Sequence, residues 1–243
     1  MRPMKTLTLI AVAAILTGLT VRAEEDGKEY KRTYVIFIHG ERVGKEQVTE
    51  SSAGNGDRIA RTESEMYISD GLETNRMAFE TRIVVEGKSL KPKSYMFRYV
   101  SGDSRDHYEV EVDGNRIVRT LSRSGATNVT TEDLREDAVI VDINVYHQYD
   151  YLIQKYDRKK GGRQVFSNFI PIVGNYIPVA LTYLSESKLK YSKGEIPLQE
   201  YAVEFTGLQS GTLFADEKGR LVRLVMPDQA LEVVREDVVP ANR

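Results

Sequence analysis

The chain has 243 residues, with 34 Lys and Arg against 36 Asp and Glu, and contains no cysteine. Because the basic residues are scattered among acidic ones and form no stripe, the composition disfavours nucleic-acid binding. Without cysteine there is no disulfide and no lipid-modified cysteine, so a chain of this size must be stabilised by its hydrophobic core.

The N-terminus has the pattern of a secretory signal peptide. A positively charged start precedes an apolar run from Leu7 to Leu19, which is too short to span a bilayer. Val21-Arg22-Ala23 supplies small residues at the positions that a signal peptidase recognises. We expect residues 1–23 to be removed by cleavage after Ala23. The remainder, residues 24–243, would be a single β-rich domain that is periplasmic or secreted.

From Thr33 onward, runs of alternating polar and apolar residues are separated by turn sequences such as Asp113-Gly114, which favours a hairpin. About ten to twelve strands are predicted, from thirteen strand-like runs. These runs cover residues 34–38, 41–51, 58–68, 76–86, 94–100, 107–112, 116–122, 164–170, 179–185, 198–206, 212–216, 221–226 and 231–235. The predicted fold is mainly β: a long curved antiparallel meander, either a half-barrel or an open barrel, with one main α-helix packed on or across it.

Two helical segments are predicted between the strands. Thr131–Arg135 resembles a short helical connector, and Asp142 is placed to cap a helix that extends to about Tyr156. Apolar and aromatic residues recur on one side of this helix with a period of 3.6. They are Ile143, Tyr146, Tyr149, Ile153 and Tyr156. Ordinary packing of an amphipathic helix on a sheet explains this stripe, and contact with a ligand is the alternative.

The most apolar part of the predicted mature chain is Phe166–Leu184, which is interrupted by Pro171, Gly174 and Pro178 and therefore cannot form a transmembrane helix. Two interpretations are open for Phe169–Leu184. It could be a buried strand pair that turns at residues 173–175, or an apolar flap over a ligand cavity. The flap interpretation adds Phe169, Ile172 and Tyr176 to the candidate ligand contacts.

The sequence "YVIFIHGERVGKE" ends a strand in His39-Gly40, as many α/β-hydrolases do near the oxyanion hole. However, no G-x-S-x-G nucleophile turn follows, since Gly207–Gly211 places the serine one position too late. The other two histidines, His107 and His147, suggest no metal-ligand spacing. No catalytic residue, metal or cofactor is predicted, and His39-Gly40 is interpreted as the first hairpin turn.

Both ends of the predicted domain resemble a group of poorly characterised exported bacterial β-rich proteins. At the start the matching residues lie in "YVIFIHGERVGKEQVTE", and at the end they lie in "FADEKGRLVRLVMP". These residues are Tyr34, Gly40, Val43 and Gly44, followed by Asp216, Gly219, Arg220 and Leu221. The resemblance implies a wide curved antiparallel sheet, akin to the half-barrels of periplasmic lipoprotein carriers. It implies no catalytic residues.

The sequence leaves three hypotheses. The first is an exported, non-catalytic protein that binds an apolar or lipid-like ligand in a concave sheet through Tyr146, Tyr149, Ile153, Tyr156 and the three flap residues. The alternative is a structural or interaction module of the cell envelope that contacts another envelope protein. The third is an enzyme that uses paired strand carboxylates, such as Glu63 with Glu65 or Glu109 with Glu111.

Overall fold

A computed structural model describes residues 29–69, 73–100, 106–191 and 193–239; the predicted signal peptide lies outside these residues. The described chain forms fourteen strands. They are β1 (Tyr30–Ile38), β2 (Glu41–Ser52), β3 (Arg58–Ser69), β4 (Thr74–Val85), β5 (Pro92–Tyr99), β6 (His107–Asp113), β7 (Arg116–Arg123), β8 (Ala126–Asp133), β9 (Arg163–Ile170), β10 (Asn175–Tyr191), β11 (Gly194–Phe205), β12 (Gln209–Ala215), β13 (Leu221–Met226) and β14 (Leu231–Arg235).

All fourteen strands belong to one curved antiparallel sheet. The first and last strands, β1 and β14, pair at its centre. The others extend outward in chain order to β8 on one side and in reverse chain order to β9 on the other. The sheet is therefore open, with β8 and β9 as its edges. The predicted fold class, a long curved meander with one helix, is confirmed.

Two hairpin turns show how local sequence sets the strand register. His39 and Gly40 both have positive φ, 52° and 79°, as a two-residue type I′ turn requires. His39 is thus a turn residue, whereas the sequence suggested the last residue of a strand. The hairpin predicted at Asp113-Gly114 is also present, but Asp113 pairs with Arg116 and the turn residues are Gly114-Asn115.

The predicted helices differ most from the structure. In the described chain the one α-helix, α1, is short (Tyr149–Lys155) and follows a 3-10 turn at Tyr146–Gln148. The helix cannot begin at Asp142, because Asn144 has a φ of 62° that breaks the helical path. The helical connector predicted at Thr131–Arg135 is wrong: the β-branched residues before it extend β8, which pairs with β7 through Asp133.

The segment Phe169–Leu184 is a strand pair, as one of its two interpretations predicted, but it is only partly buried, since Ile172, Val173 and Leu184 are exposed. Strands β9 and β10 pair from Ile170 with Asn175 down to Arg163 with Thr182. Their turn occupies residues 171–174, slightly earlier than predicted.

The main core fills the concave face of the sheet. Helix α1 lies there, and its fully buried Leu152 belongs to the same cluster as Tyr201 and Leu213 of the sheet. A smaller cluster on the opposite, convex face includes Phe37 and Val238, the latter from a 3-10 turn after β14. The concave face therefore holds the helix and also, as described below, the cavities.

Candidate functional site

The chain between β8 and α1, residues 134–148, crosses the concave face, and we call it the crossing segment. It pairs along β9 through a parallel bridge: the Val139 amide donates to the Ser167 carbonyl at 3.0 Å, and the Phe169 amide donates to the Val139 carbonyl at 2.9 Å. The fully buried Asn168 side chain accepts from the Val141 amide at 2.7 Å and donates to the Val141 carbonyl at 3.0 Å. These bonds cover the edge of β9 and fix where the segment enters the interior.

Asp142 anchors the crossing segment to the opposite wall. Its buried carboxylate accepts hydrogen bonds from the hydroxyls of Tyr95 at 2.9 Å and Tyr108 at 2.6 Å, and from the Ile143 amide at 2.9 Å. Burial raises the pKa of Asp142, and the three donors oppose that rise. Since β5 and β6 supply the two tyrosines, the segment is tied to both halves of the sheet.

Immediately after Asp142 the crossing segment forms a turn at Ile143 and Asn144, which we call the tip. Ile143 is 56% exposed although it is a large aliphatic residue. Asn144 follows in the left-handed region, with a φ of 62°, which asparagine tolerates better than most residues. The Tyr146 hydroxyl donates to the Asn144 side-chain oxygen at 3.5 Å. The tip thus presents an apolar side chain on a constrained backbone.

Glu46 of β2 holds the start of the helical region. Its fully buried carboxylate accepts from the Tyr146 amide at 2.7 Å, the His147 amide at 3.2 Å and the His147 Nδ1 at 2.7 Å. A carboxylate at this end complements the positive end of the helix dipole. Sequence reasoning assigned the cap to Asp142 and missed Glu46. An acid at an inward-facing strand position, between buried Val48 and the turn, was the available signal.

A second buried charge cluster fixes α1 itself. The Asp150 carboxylate accepts from Arg32 Nη2 at 2.6 Å and from the Leu221 amide at 2.7 Å. Burial raises the pKa of Asp150, and the Arg32 charge opposes that rise. Glu50 also contacts Arg32, at 3.4 Å, and pairs with Arg58 at 2.9 Å. Each of these charged side chains has a partner of opposite charge within the cluster. The cluster therefore anchors the helix to the sheet.

Two apolar cavities flank the tip, and Ile143 and Asn144 line both. The first, of about 500 Å³, lies between the tip and strands β9 to β14. The second, of about 380 Å³, lies between the tip and strands β4 to β7. Apolar residues that line the first include Tyr146, Tyr149, Ile170, Val173, Ile177, Phe205, Leu208, Leu224, Met226 and Leu231. Cavities of this size, with mostly apolar walls and few polar groups, suit a small apolar or amphipathic molecule.

The second cavity has an aromatic wall. The rings of Phe79 and Phe97 stack at 5.0 Å between centroids, and Phe97 stacks on Tyr108 at 4.7 Å. The pair Arg123 and Asp106, 3.0 Å apart, borders the same cavity. An apolar wall with a polar border could accommodate an amphipathic ligand.

The residues predicted to bind a ligand are not all at these cavities. Tyr146 and Tyr149 line the first cavity, and Ile172 lines the second. The other four do not line either one. Ile153 and Tyr156 are buried in the main core, Phe169 is fully buried, and Tyr176 stacks edge-on against Phe169 at 5.3 Å. The residues of β4 to β7 that line the second cavity were not predicted. Apolar and polar residues alternate in these strands as they do in any half-buried strand.

The carboxylate pairs considered for catalysis lie apart from both cavities. Glu65 is hydrogen-bonded to Arg76 at 2.6 Å and to the Tyr67 hydroxyl at 2.8 Å on the outer surface. Glu63, Glu109 and Glu111 are exposed strand residues. Within the described ranges, no three His, Asp or Glu residues come close enough to hold a metal ion. Glu63 and Glu65 line a separate surface pocket of about 350 Å³ together with Lys45 and Arg76. None of the four acids lines either apolar cavity.

None of the helices in the described residues has the length and apolarity to cross a bilayer. No protein-family model, no curated protein and no solved structure matches this chain.

Proposed function

We propose that this is an exported binding protein that holds an apolar or amphipathic ligand on the concave face of its sheet. The observation that carries the proposal is the pair of apolar cavities on either side of the Ile143-Asn144 tip. Export is supported by the leader-like sequence that ends at Ala23.

The arrangement of charges supports binding rather than chemistry. The buried acids Glu46, Asp142 and Asp150 are each occupied by two or more donors from the protein itself. They hold the crossing segment and helix in place, which leaves the cavity walls mainly to aliphatic and aromatic side chains. A preformed apolar wall lowers the entropic cost of binding an apolar ligand.

Filling the cavities tests this function. The half-buried Ile177 and Leu121 line the first and second cavity, respectively. In Ile177→Trp/Leu121→Trp the indole rings occupy ligand space, and we expect the affinity for the fluorescent probe N-phenyl-1-naphthylamine to fall at least tenfold. Fluorescence titration of the mature protein measures this affinity.

The matched control is Val165→Trp, which adds the same side chain to an exposed position of β9. It should bind the probe like the wild type. Equal binding by all variants, or no binding by the wild type, would rule out the cavities as the site. In that case the interaction-module alternative gains support.

A further inference from the structure

We propose that one end of the sheet docks onto the interface of a lipid bilayer, so that an apolar ligand passes between the bilayer and the cavities without crossing water. The inference rests on the proposed function. We call this end the mouth. It consists of the Ile143-Asn144 tip, the connections β1–β2, β7–β8, β9–β10, β11–β12 and β13–β14, and the described strand ends at residues 67–69 and 99–100.

Exposed apolar side chains are concentrated at the mouth. Ten large apolar residues of the described chain are exposed, and seven of them lie at this end. They are Tyr67, Ile68, Val100, Ile143, Ile172, Val173 and Leu208. The other three, Val129, Val165 and Leu184, are spread along strands. Single exposed apolar residues are ordinary on a protein surface, but a concentration at one end indicates a contact surface.

The opposite end of the sheet has polar turns. Its exposed turn residues include Asn55, Lys88, Asn115, Lys193 and Glu217. Because the hairpins alternate between the two ends, the same sheet gives a direct comparison of turn composition. Among the described residues, exposed apolar side chains are thus a property of the mouth and not of turns in general.

The distribution of the exposed apolar residues fits a lipid bilayer better than a folded protein. Ile143, Ile172 and Leu208 lie on three separate chain segments around the openings of both cavities. A rigid protein surface bound across these segments would leave the cavities unfilled at its centre, whereas a protein interface is normally packed most densely there. Acyl chains adapt to such an uneven border. Tyr67, with an apolar ring and a hydroxyl bonded to Glu65, suits the headgroup level.

Two of the arginines near the mouth are each paired with an acid. Arg76 contacts Glu65 at 2.6 Å, and Arg123 contacts Asp106 at 3.0 Å. Such paired charges give little attraction to anionic headgroups. Docking should therefore depend on apolar contact, occur on zwitterionic lipid and change little with salt concentration.

Flotation of the mature protein with phosphatidylcholine vesicles tests the proposal. We expect Ile68→Ser/Val100→Ser to reduce the partition coefficient about tenfold, since two aliphatic side chains no longer insert. Val165→Ser/Leu184→Ser removes two equally exposed apolar residues away from the mouth and should partition like the wild type. Circular dichroism melting verifies that both variants are folded.

The cavity variant Ile177→Trp/Leu121→Trp separates this proposal from the proposed function. It should still float with vesicles while it loses the naphthylamine probe, and Ile68→Ser/Val100→Ser should bind the probe normally because neither residue lines the two cavities. Flotation that is absent in the wild type, or equally reduced in both serine variants, would overturn docking. A vesicle-free dimer that Ile68→Ser/Val100→Ser abolishes would also overturn it, since the mouth would then contact a second copy.

Discussion

Buried charged side chains hold α1 against the sheet. Arg32 and Asp150 are both almost inaccessible to solvent and lie 2.6 Å apart. A buried pair of this kind adds little net stability relative to an apolar pair, but removal of one partner leaves an unpaired buried charge. The two single substitutions and the double substitution at these positions should therefore behave very differently.

We expect Arg32→Met to lower the free energy of unfolding by about 3–5 kcal/mol, because it leaves Asp150 without its guanidinium. Asp150→Leu should have a similar cost, whereas Arg32→Met/Asp150→Leu should recover a large part of the loss. Urea denaturation of all four proteins measures this double-mutant cycle. Additive losses would show that the two side chains do not interact energetically.

Among the secondary-structure elements, strand β2 approaches β3 very closely at Gly44. Gly44 lies opposite Ile36, after a register shift in the pairing of the two strands. A Cβ on Gly44 would lie 2.2 Å from the Glu65 carbonyl oxygen of β3. This close packing of β2 against β3 explains why a glycine occupies the position.

Gly44→Ala should therefore lower the free energy of unfolding by about 1–3 kcal/mol, because the backbone of β2 or β3 must move. Gly54→Ala is the matched control: it lies in the β2–β3 turn, a Cβ added there would have no atom within 4 Å, and its φ is not positive. The control should be neutral or stabilising by about 0.4–1 kcal/mol. Thermal denaturation compares the two, and equal stabilities would contradict the steric argument.

Strands were more predictable than the connection that enters the core. Alternation and glycine turns gave the meander because both depend on neighbouring residues. The crossing segment instead depends on contacts distant in sequence, such as Glu46 with His147 and Asp142 with Tyr95. No local pattern encodes these contacts. For the same reason Tyr146 and Tyr149 were recognised as candidate lining residues, but the opposite wall around Phe97 was not.

For the whole molecule, the pairing of β1 with β14 places the two ends of the meander at the centre of the sheet and its middle at the two edges. The edges β8 and β9 must then be held by contacts other than strand pairing. Arg119 of β7 provides one: its buried guanidinium donates to the carbonyl oxygens of Pro171 and Ile172 in the β9–β10 turn, the latter at 3.0 Å. The Tyr176 hydroxyl adds a bond to the Asp133 carbonyl at 3.1 Å.

Because these contacts join the two halves of the sheet across the mouth, Arg119→Met should loosen the edges before the centre. We expect amide hydrogen exchange to rise at least tenfold in β8 and in the turn at residues 171–174, while β1 and β14 stay protected, since local opening requires less free energy than global unfolding. Hydrogen–deuterium exchange mass spectrometry measures both regions. Arg123→Met is the control, because Arg123 is largely exposed and pairs only with Asp106 among the ion pairs of the described residues. A uniform rise across the sheet, or the same local rise in the control, would show that Arg119 does not act as the link between the two halves.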